Sequence, residues 1–260
     1  MKALIFAAGL GTRLGSITKR MPKALVPVAG VPMLERVLGK LQGAGFSEAV
    51  INVCYKAEMI KDWLRDNPFP GMEIKLSVEP GGEPLETGGG LRHARGLLTG
   101  GPVLLHNVDI LSNLDLNWFA SKCGASALAS LLVTAPRAED DRFFLFNPGD
   151  MRLAGWTNRR TGEVRGAIRG VPGAPEDALS AEECRRMSFC GIHIVSQDIF
   201  PLLESWPEKF SITDFYIKEA GRHPIYGIPA PADFKMTDIG SPETLSEAGR
   251  ALAGGAYSTR

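Results

Sequence analysis

The chain has 260 residues, enough to bury roughly 70–75% of the surface its unfolded form exposes. Hydrophobic residues make up 44% and charged residues 22%, which excludes a disordered or fibrous chain. Twenty-nine basic residues balance twenty-nine acidic ones, so the basic excess that a general nucleic-acid binder needs is missing.

The opening strand signal is Lys2 to Ala7 (K-A-L-I-F-A), followed by a glycine-rich loop from Gly9 to Gly15. Pro32 opens an amphipathic helix to about Gly45, with Leu34, Val37, Leu38 and Leu41 on one face. Strand 49–53, helix 57–66 and strand 73–79 follow. A second glycine-rich segment leads into a helix from Thr87 to about Leu98, and strand 102–107 ends at Asp109. Strands alternating with helices predict βαβ units, hence a mostly parallel sheet with helices on both faces. The second half reads as strands at 126–134, 142–147, 151–156, 163–169 and 188–195, a loop at 170–180, and helices at 211–221 and 242–252. The expected organisation is one α/β domain over 1–252. Residues 1–111 form its nucleotide-binding half, 112–252 its partner-binding half, and 253–260 a frayed tail.

Cys54, Cys123, Cys184 and Cys190 form no C-x-x-C pair, which fits reduced thiols in the cytosol. The apolar start is too short for an export signal, and no apolar run nears the roughly 18 residues of a membrane span. A cytoplasmic protein with no membrane and no nucleic-acid partner is expected, as a monomer or homodimer.

A loop at the carboxyl end of the first strand lies where open α/β sheets bind ligands. Gly9 and Gly11 let backbone N–H groups approach a phosphate. The loop is neither the dinucleotide fingerprint nor a Walker A loop, because both need glycine where this chain has Leu14. The missing third glycine, with no acidic residue ending the second strand, argues against a nicotinamide-dependent reductase. Arg13 and Lys23 lie beside the loop and suit the charge of a nucleoside triphosphate. Lys19 and Arg20 read as solvated surface. Asp109, at a strand end beside the same loop, is placed for Mg²⁺, which takes one or two carboxylates plus phosphate oxygens and waters.

The run from Gly9 to Leu34, G-L-G-T-R-L-G-S-I-T-K-R-M-P-K-A-L-V-P-V-A-G-V-P-M-L, resembles the signature of the sugar-1-phosphate nucleotidyltransferases. That family joins a nucleoside triphosphate to a sugar 1-phosphate and releases pyrophosphate. The resemblance implies a Rossmann-like nucleotide-diphospho-sugar transferase fold. It implies that Ala8, Gly9, Gly11, Thr12 and Arg13 hold the nucleotide and that Lys23 neutralises the reacting phosphate. Gly15-Ser16 departs from the usual proline there, and Asn107-Val108-Asp109 from the usual asparagine-glycine-aspartate. Asp238, in K-M-T-D-I-G-S-P-E-T-L, resembles the family's second metal ligand, so Asp109 and Asp238 together would hold Mg²⁺. Asp238 also stands where it can cap the helix near Pro242.

Three glycines at a helix start, Gly88 to Gly90, cost roughly 1 kcal/mol each against alanine, which points to close approach of something to that backbone. The surrounding segment, P-L-E-T-G-G-G, is similar to that of N-acetylmuramic acid 1-phosphate uridylyltransferases. The resemblance places Glu83, Thr87 and Gly88 along the nucleotide and Gly89 near the sugar. Relatives often carry a base-reading glutamine here; this chain has Glu79 and Glu83. A carboxylate accepts from uracil or from guanine, so both bases stay open.

The strand M-S-F-C-G-I-H resembles the family's sugar-pocket segment, which makes Gly191 and His193 sugar-binding candidates, with His193 facing either the pocket or solvent. Phe189 reads as core. Arg142, Arg165 and Arg169 are candidates for the sugar's phosphate, with surface charge the simpler reading. Thr213-Asp214 reads as a helix cap. The expected reaction is nucleotidyl transfer from UTP to an amino-sugar 1-phosphate. A mannose-1-phosphate guanylyltransferase and a catalytically silent nucleotide-sugar sensor are the alternatives.

Overall fold

The computed structural model describes residues 1–257. Its centre is a ten-stranded sheet. The strands Lys2–Phe6, Glu48–Val53, Glu73–Val78 and Val103–Asn107 run parallel, with Lys2–Phe6 between Glu48–Val53 and Val103–Asn107. Ala3, Leu4 and Ile5, like Val50 and Ile51, are fully buried because helices cover both faces, which explains unbroken apolar runs in place of alternation.

Beyond Val103–Asn107 the sheet changes character. The long strand Arg185–Val195 pairs antiparallel with it through Ile192 to Val195, and with Arg142–Phe146 through Arg185 to Met187. It also carries Ala129–Thr134 on a register that slips between Phe189 and His193. Gly191 sits in that slip with φ +70°, backbone that an L side chain adopts at a cost. This forked strand joins the parallel half to an antiparallel one. Leu153–Asn158 and Val164–Gly166 extend the antiparallel edge, and Ile225–Pro229 runs parallel beside Ala129–Thr134.

Helix Met33–Gly43 buries Met33, Leu34, Val37, Leu38 and Leu41, the stripe predicted from spacing. It packs with the C-terminal helix Pro242–Ala253 and with Leu116–Lys122 in the core on one face. Helices Glu86–His93, Ile199–Leu203 and Ile212–Glu219 form the core on the other. No helix among the described residues is long and apolar enough to cross a membrane, and all four cysteines are free thiols.

Several elements differ from the sequence reading. The helix expected from Thr87 to Leu98 is α-helical only over Glu86–His93 and tightens into a 3₁₀ turn at Ala94–Leu97. The short helices Ser16–Arg20, Leu116–Lys122 and Ile199–Leu203 lack the length that makes a period visible. A two-stranded ribbon of Ile110–Ser112 and Met236–Asp238 joins segments far apart in sequence, and local patterning holds no trace of it. In the expected tail, Tyr257 is tied by a 2.5 Å hydrogen bond to Thr237. Residues 258–260 lie outside the described residues.

Candidate active site

Three parallel strands end side by side, and the loops beyond their carboxyl ends enclose a cleft of about 620 Å³. Ala7 to Arg13 form one wall, Asn52 and Asn107 to Asp109 the floor, and Pro84, Glu86, Thr87, Lys209 and Ser211 the far side. The volume falls in the range of roughly 300–1,000 Å³ that small-molecule sites occupy.

The first loop is shaped by glycine where packing demands it. Gly11 has φ +63°, and a Cβ there would lie 2.9 Å from the Thr18 methyl and 3.1 Å from Lys23 Cβ. Thr18 donates its hydroxyl proton to the Gly11 carbonyl at 3.0 Å, which pins the loop from behind. Gly9 and Leu10 stay exposed at the cleft wall. A Cβ on Gly9 would meet nothing within 4 Å, so its missing side chain leaves room for a ligand.

Lys23 is almost wholly buried, and its ammonium is paired with the Asp109 carboxylate. The ribbon brings Asp238 to the same place. Asp238 is the register partner of Ile110, and the Ile239 N–H donates to the Asp109 carbonyl at 2.9 Å. Loss of hydration in the cleft, and then the negative charge of Asp109, raise the Asp238 pKa, while Lys23 and Arg13 act against the rise. Asp238 is itself exposed. The helix that follows is capped by Ser241, which accepts from the Thr244 N–H while the Thr244 hydroxyl accepts from the Ser241 N–H. Asp238 therefore does not cap it. Arg13 lies over Gly240, where a Cβ would come within 2.7 Å of its Cζ. Arg13, Lys23 and Asp109 thus line the cleft together, and the ribbon sets Asp238 next to Asp109 just outside that lining.

The second glycine segment behaves differently. A side chain at Gly88 would collide with the Phe210 ring, one at Gly89 with the Glu208 carbonyl, and one at Gly90 with Asn52 and Glu79. The N–H groups of Gly88 and Gly89 both point to the Phe210 carbonyl. The close approach inferred from three glycines is real, but the partner is the protein itself. Gly88 and Gly89 are buried and do not line the cleft, which corrects their placement on nucleotide and sugar. Thr87 does line it, and its hydroxyl accepts from the Ile212 N–H at 3.0 Å. Glu83 is exposed and is not itself part of the cleft lining, but it pairs with Lys209, which is. Glu79 is buried, accepting from Asn52 at 2.9 Å and from the Leu85 N–H at 2.8 Å. It is buried and outside the cleft lining, so it does not reach a base held in the cleft.

A second cleft of about 570 Å³ adjoins the first through Ser211. Arg142 and Arg165 line it, with Phe189, Trp156 and Asn158. The Arg165 guanidinium stacks on Trp156, 4.4 Å from the ring centroid, and donates to Asp214 at 2.9 Å. Arg169 instead donates to the Ala178 carbonyl and lies elsewhere. Phe189, read as core, is only partly buried and faces this cleft. Asp214, read as a cap, serves Arg165, while Ser211 caps the helix. His193 is 1% exposed and bonds through Nδ1 to the Tyr216 hydroxyl at 2.7 Å, so it reaches neither pocket nor solvent. Gly191 makes room for the Asn107 side chain, 2.7 Å from where its Cβ would be. Its contribution to the cleft therefore runs through Asn107.

Leu10, Asn52, Asn107, Glu86, Lys209 and Ser211 line the first cleft without having been singled out from sequence. Asn52 had a signal: one amide near the end of an otherwise apolar strand. Lys209 and Ser211 had none, since only the fold of the 208–211 segment over Gly88 brings them there.

The nucleotidyl transferase family model matches residues 2–145, more than half of the chain. The chain belongs to the nucleotidyl transferase family. It is 30% identical over 247 residues to D-glycero-alpha-D-manno-heptose 1-phosphate guanylyltransferase of Campylobacter jejuni, covering 94% of this chain and 96% of that one. N-acetylmuramate alpha-1-phosphate uridylyltransferase of Neisseria meningitidis is 44% identical over 115 residues, 44% of this chain and about half, 49%, of the relative. Among solved structures, HddC of Yersinia pseudotuberculosis superposes with a TM-score of 0.72 at 24% identity, over 96% of this chain and 99% of its own. That likeness establishes the nucleotide-diphospho-sugar transferase fold for a family member whose site has just been described.

Proposed function

We propose that the chain transfers a uridylyl group from UTP to an amino-sugar 1-phosphate such as N-acetylmuramate 1-phosphate, releasing pyrophosphate. The observation that carries the reaction type is the convergence of Arg13, Lys23 and Asp109 on one cleft beside a glycine loop, with Asp238 brought next to Asp109 by the ribbon. The uridylyltransferase relatives, at 41–44% identity over part of the chain, support the base and sugar. The near full-length match to a guanylyltransferase supports GTP as the second reading.

The donor set suits a divalent ion. No cluster of three or more histidine, cysteine or acidic side chains forms a closed metal cage among the described residues. Two carboxylates with room for phosphate oxygens and water are what Mg²⁺ takes. Asp109 and Asp238 would hold it. Bound there, the ion supplies charge neutralisation between the two anionic reactants.

The chain's own groups do the rest. Backbone N–H groups of Gly9 to Thr12 and the Arg13 guanidinium hold the triphosphate. Lys23, already placed beside Asp109, offers a buried positive charge to the reacting phosphate. Arg142 and Arg165 line the adjoining cleft, where the sugar 1-phosphate enters. Its phosphate has a second pKa of about 6, so the attacking oxygen is ionised at neutral pH and needs no general base. Holding two anions in line is the main task.

The test is a grid of UTP, GTP, CTP and dTTP against a panel of sugar 1-phosphates with Mg²⁺, reading pyrophosphate. The fastest release should come from UTP with an amino-sugar 1-phosphate. Fastest release with GTP would replace the base assignment, and none with any pair would refute the transfer reading.

A further inference from the structure

Behind the aspartate ribbon lies a separate cavity of about 210 Å³. Arg36 and Lys40 from helix Met33–Gly43 line it, with His106 from the strand below. Apolar side chains, among them Val37, Leu111 and Leu252, complete it together with Ser112 and Tyr257, and no carboxylate faces it among the described residues. Neither Arg36 nor Lys40 forms an ion pair among the described residues. Arg36 donates to the Val28 carbonyl at 2.6 Å and Lys40 to the Ser112 carbonyl at 2.7 Å. The Arg36 Nε is buried without a partner.

His106 supplies an independent observation. It is 1% exposed, and its Nδ1 lies 2.7 Å from the Asn107 carbonyl, so Nδ1 carries the proton. Nε2 is then a lone-pair acceptor, and it is buried with no donor to meet it. Leaving such a group unsatisfied is costly. Two cations with no direct ion-pair partner and an acceptor without a donor share one cavity. We propose that this cavity binds a compact anion that also carries a hydroxyl: a small hydroxy acid or polyol phosphate. Its negative group meets Arg36 and Lys40, and its hydroxyl donates to His106 Nε2. The volume is below the roughly 300–1,000 Å³ of drug-sized pockets, which excludes a nucleotide.

The place gives the site a consequence. Val108 and Ile239 form part of the wall and are the chain neighbours of Asp109 and Asp238. An occupant therefore packs against the back of the ribbon whose front presents both aspartates. The proposal does not depend on which nucleotide or sugar the cleft takes.

The test titrates the full chain with D-glycerate and with glycerol 1-phosphate, by calorimetry and by the ¹⁵N signal of the His106 imidazole. At least one probe should bind and shift the Nε2 resonance. Lys40→Gln and Arg36→Gln should each weaken binding about tenfold or more, with turnover in the absence of probe unchanged. Arg13→Gln should leave probe binding intact. Failure of both probes to bind below about 10 mM, some 2.7 kcal/mol of binding at most, would overturn the proposal. So would binding lost in Arg13→Gln and kept in Lys40→Gln, because the probe would then sit in the main cleft.

Discussion

Two glycine segments follow strands on the same side of the sheet, and they do opposite work. Gly9 leaves a wall of the cleft open, while Gly11 bends the loop closely over Thr18 and Lys23. Gly88, Gly89 and Gly90 let helix Glu86–His93 press against the 208–210 segment and the Asn52–Glu79 pair. Missing side chains show that something comes close; they do not show whether it is a ligand or the protein. The neighbours decide. Beside the first segment stand Arg13 and Lys23 with a carboxylate to balance them, and beside the second stand Phe210 and Leu85.

The largest effect that sharpens this contrast is expected at Lys23, which packs under Gly11. Lys23→Ala removes the buried cation that we propose faces the reacting phosphate. It should lower kcat by about 10²–10³-fold with the fold retained on circular dichroism. A variant within twofold of normal turnover would deny the first loop its catalytic neighbour.

A matched pair of glycine substitutions comes next. Gly89→Ala overpacks a buried contact and should cost about 1–3 kcal/mol of stability in urea unfolding. The nucleotide KM of the folded fraction should barely move. Gly9→Ala should leave stability within about 0.5 kcal/mol, a typical value for surface changes, and raise the nucleotide KM. The reverse pattern would exchange the roles of the two segments.

The most distributed effect is on pH. Burial lowers the His106 pKa to about 4, and burial followed by the neighbouring His106 lowers that of His193 to about 3. Both are neutral in the fold at neutral pH. The unfolded chain takes up protons below about 6.5, so the stability these groups leave intact above that value is lost as pH falls toward their folded values. At pH 5 each histidine should cost about 2 kcal/mol relative to pH 7. Urea midpoints at the two pH values measure it, and His193→Gln should flatten the slope. A pH-independent midpoint would mean that neither ring is buried neutral.

The parallel half of the fold was legible because its strands are unbroken apolar runs and its longer helices show period and stripe. Met33–Gly43 and Ala57–Asp66 are the clearest cases. The antiparallel half was legible as strands but not as a topology. The fork of Arg185–Val195 depends on Gly191 and on pairings from three distant segments. In the cleft, Arg13, Lys23 and Asp109 were visible because charge follows apolar strands and glycine loops. Asp238 was visible only through a resemblance, since the ribbon that brings it in is three residues long on each side. His193 misled because a histidine on a strand carries no mark of the Tyr216 that satisfies it.

The central claim is that Asp109 and Asp238 act as one unit on one divalent ion. A double-mutant cycle with Asp109→Asn, Asp238→Asn and both, read as Mg²⁺-dependent kcat/KM, tests it most directly. Each single change should remove orders of magnitude of activity, and the double should lose little more than the worse single. Near-normal turnover in either single variant, or losses that simply multiply in the double, would contradict the account.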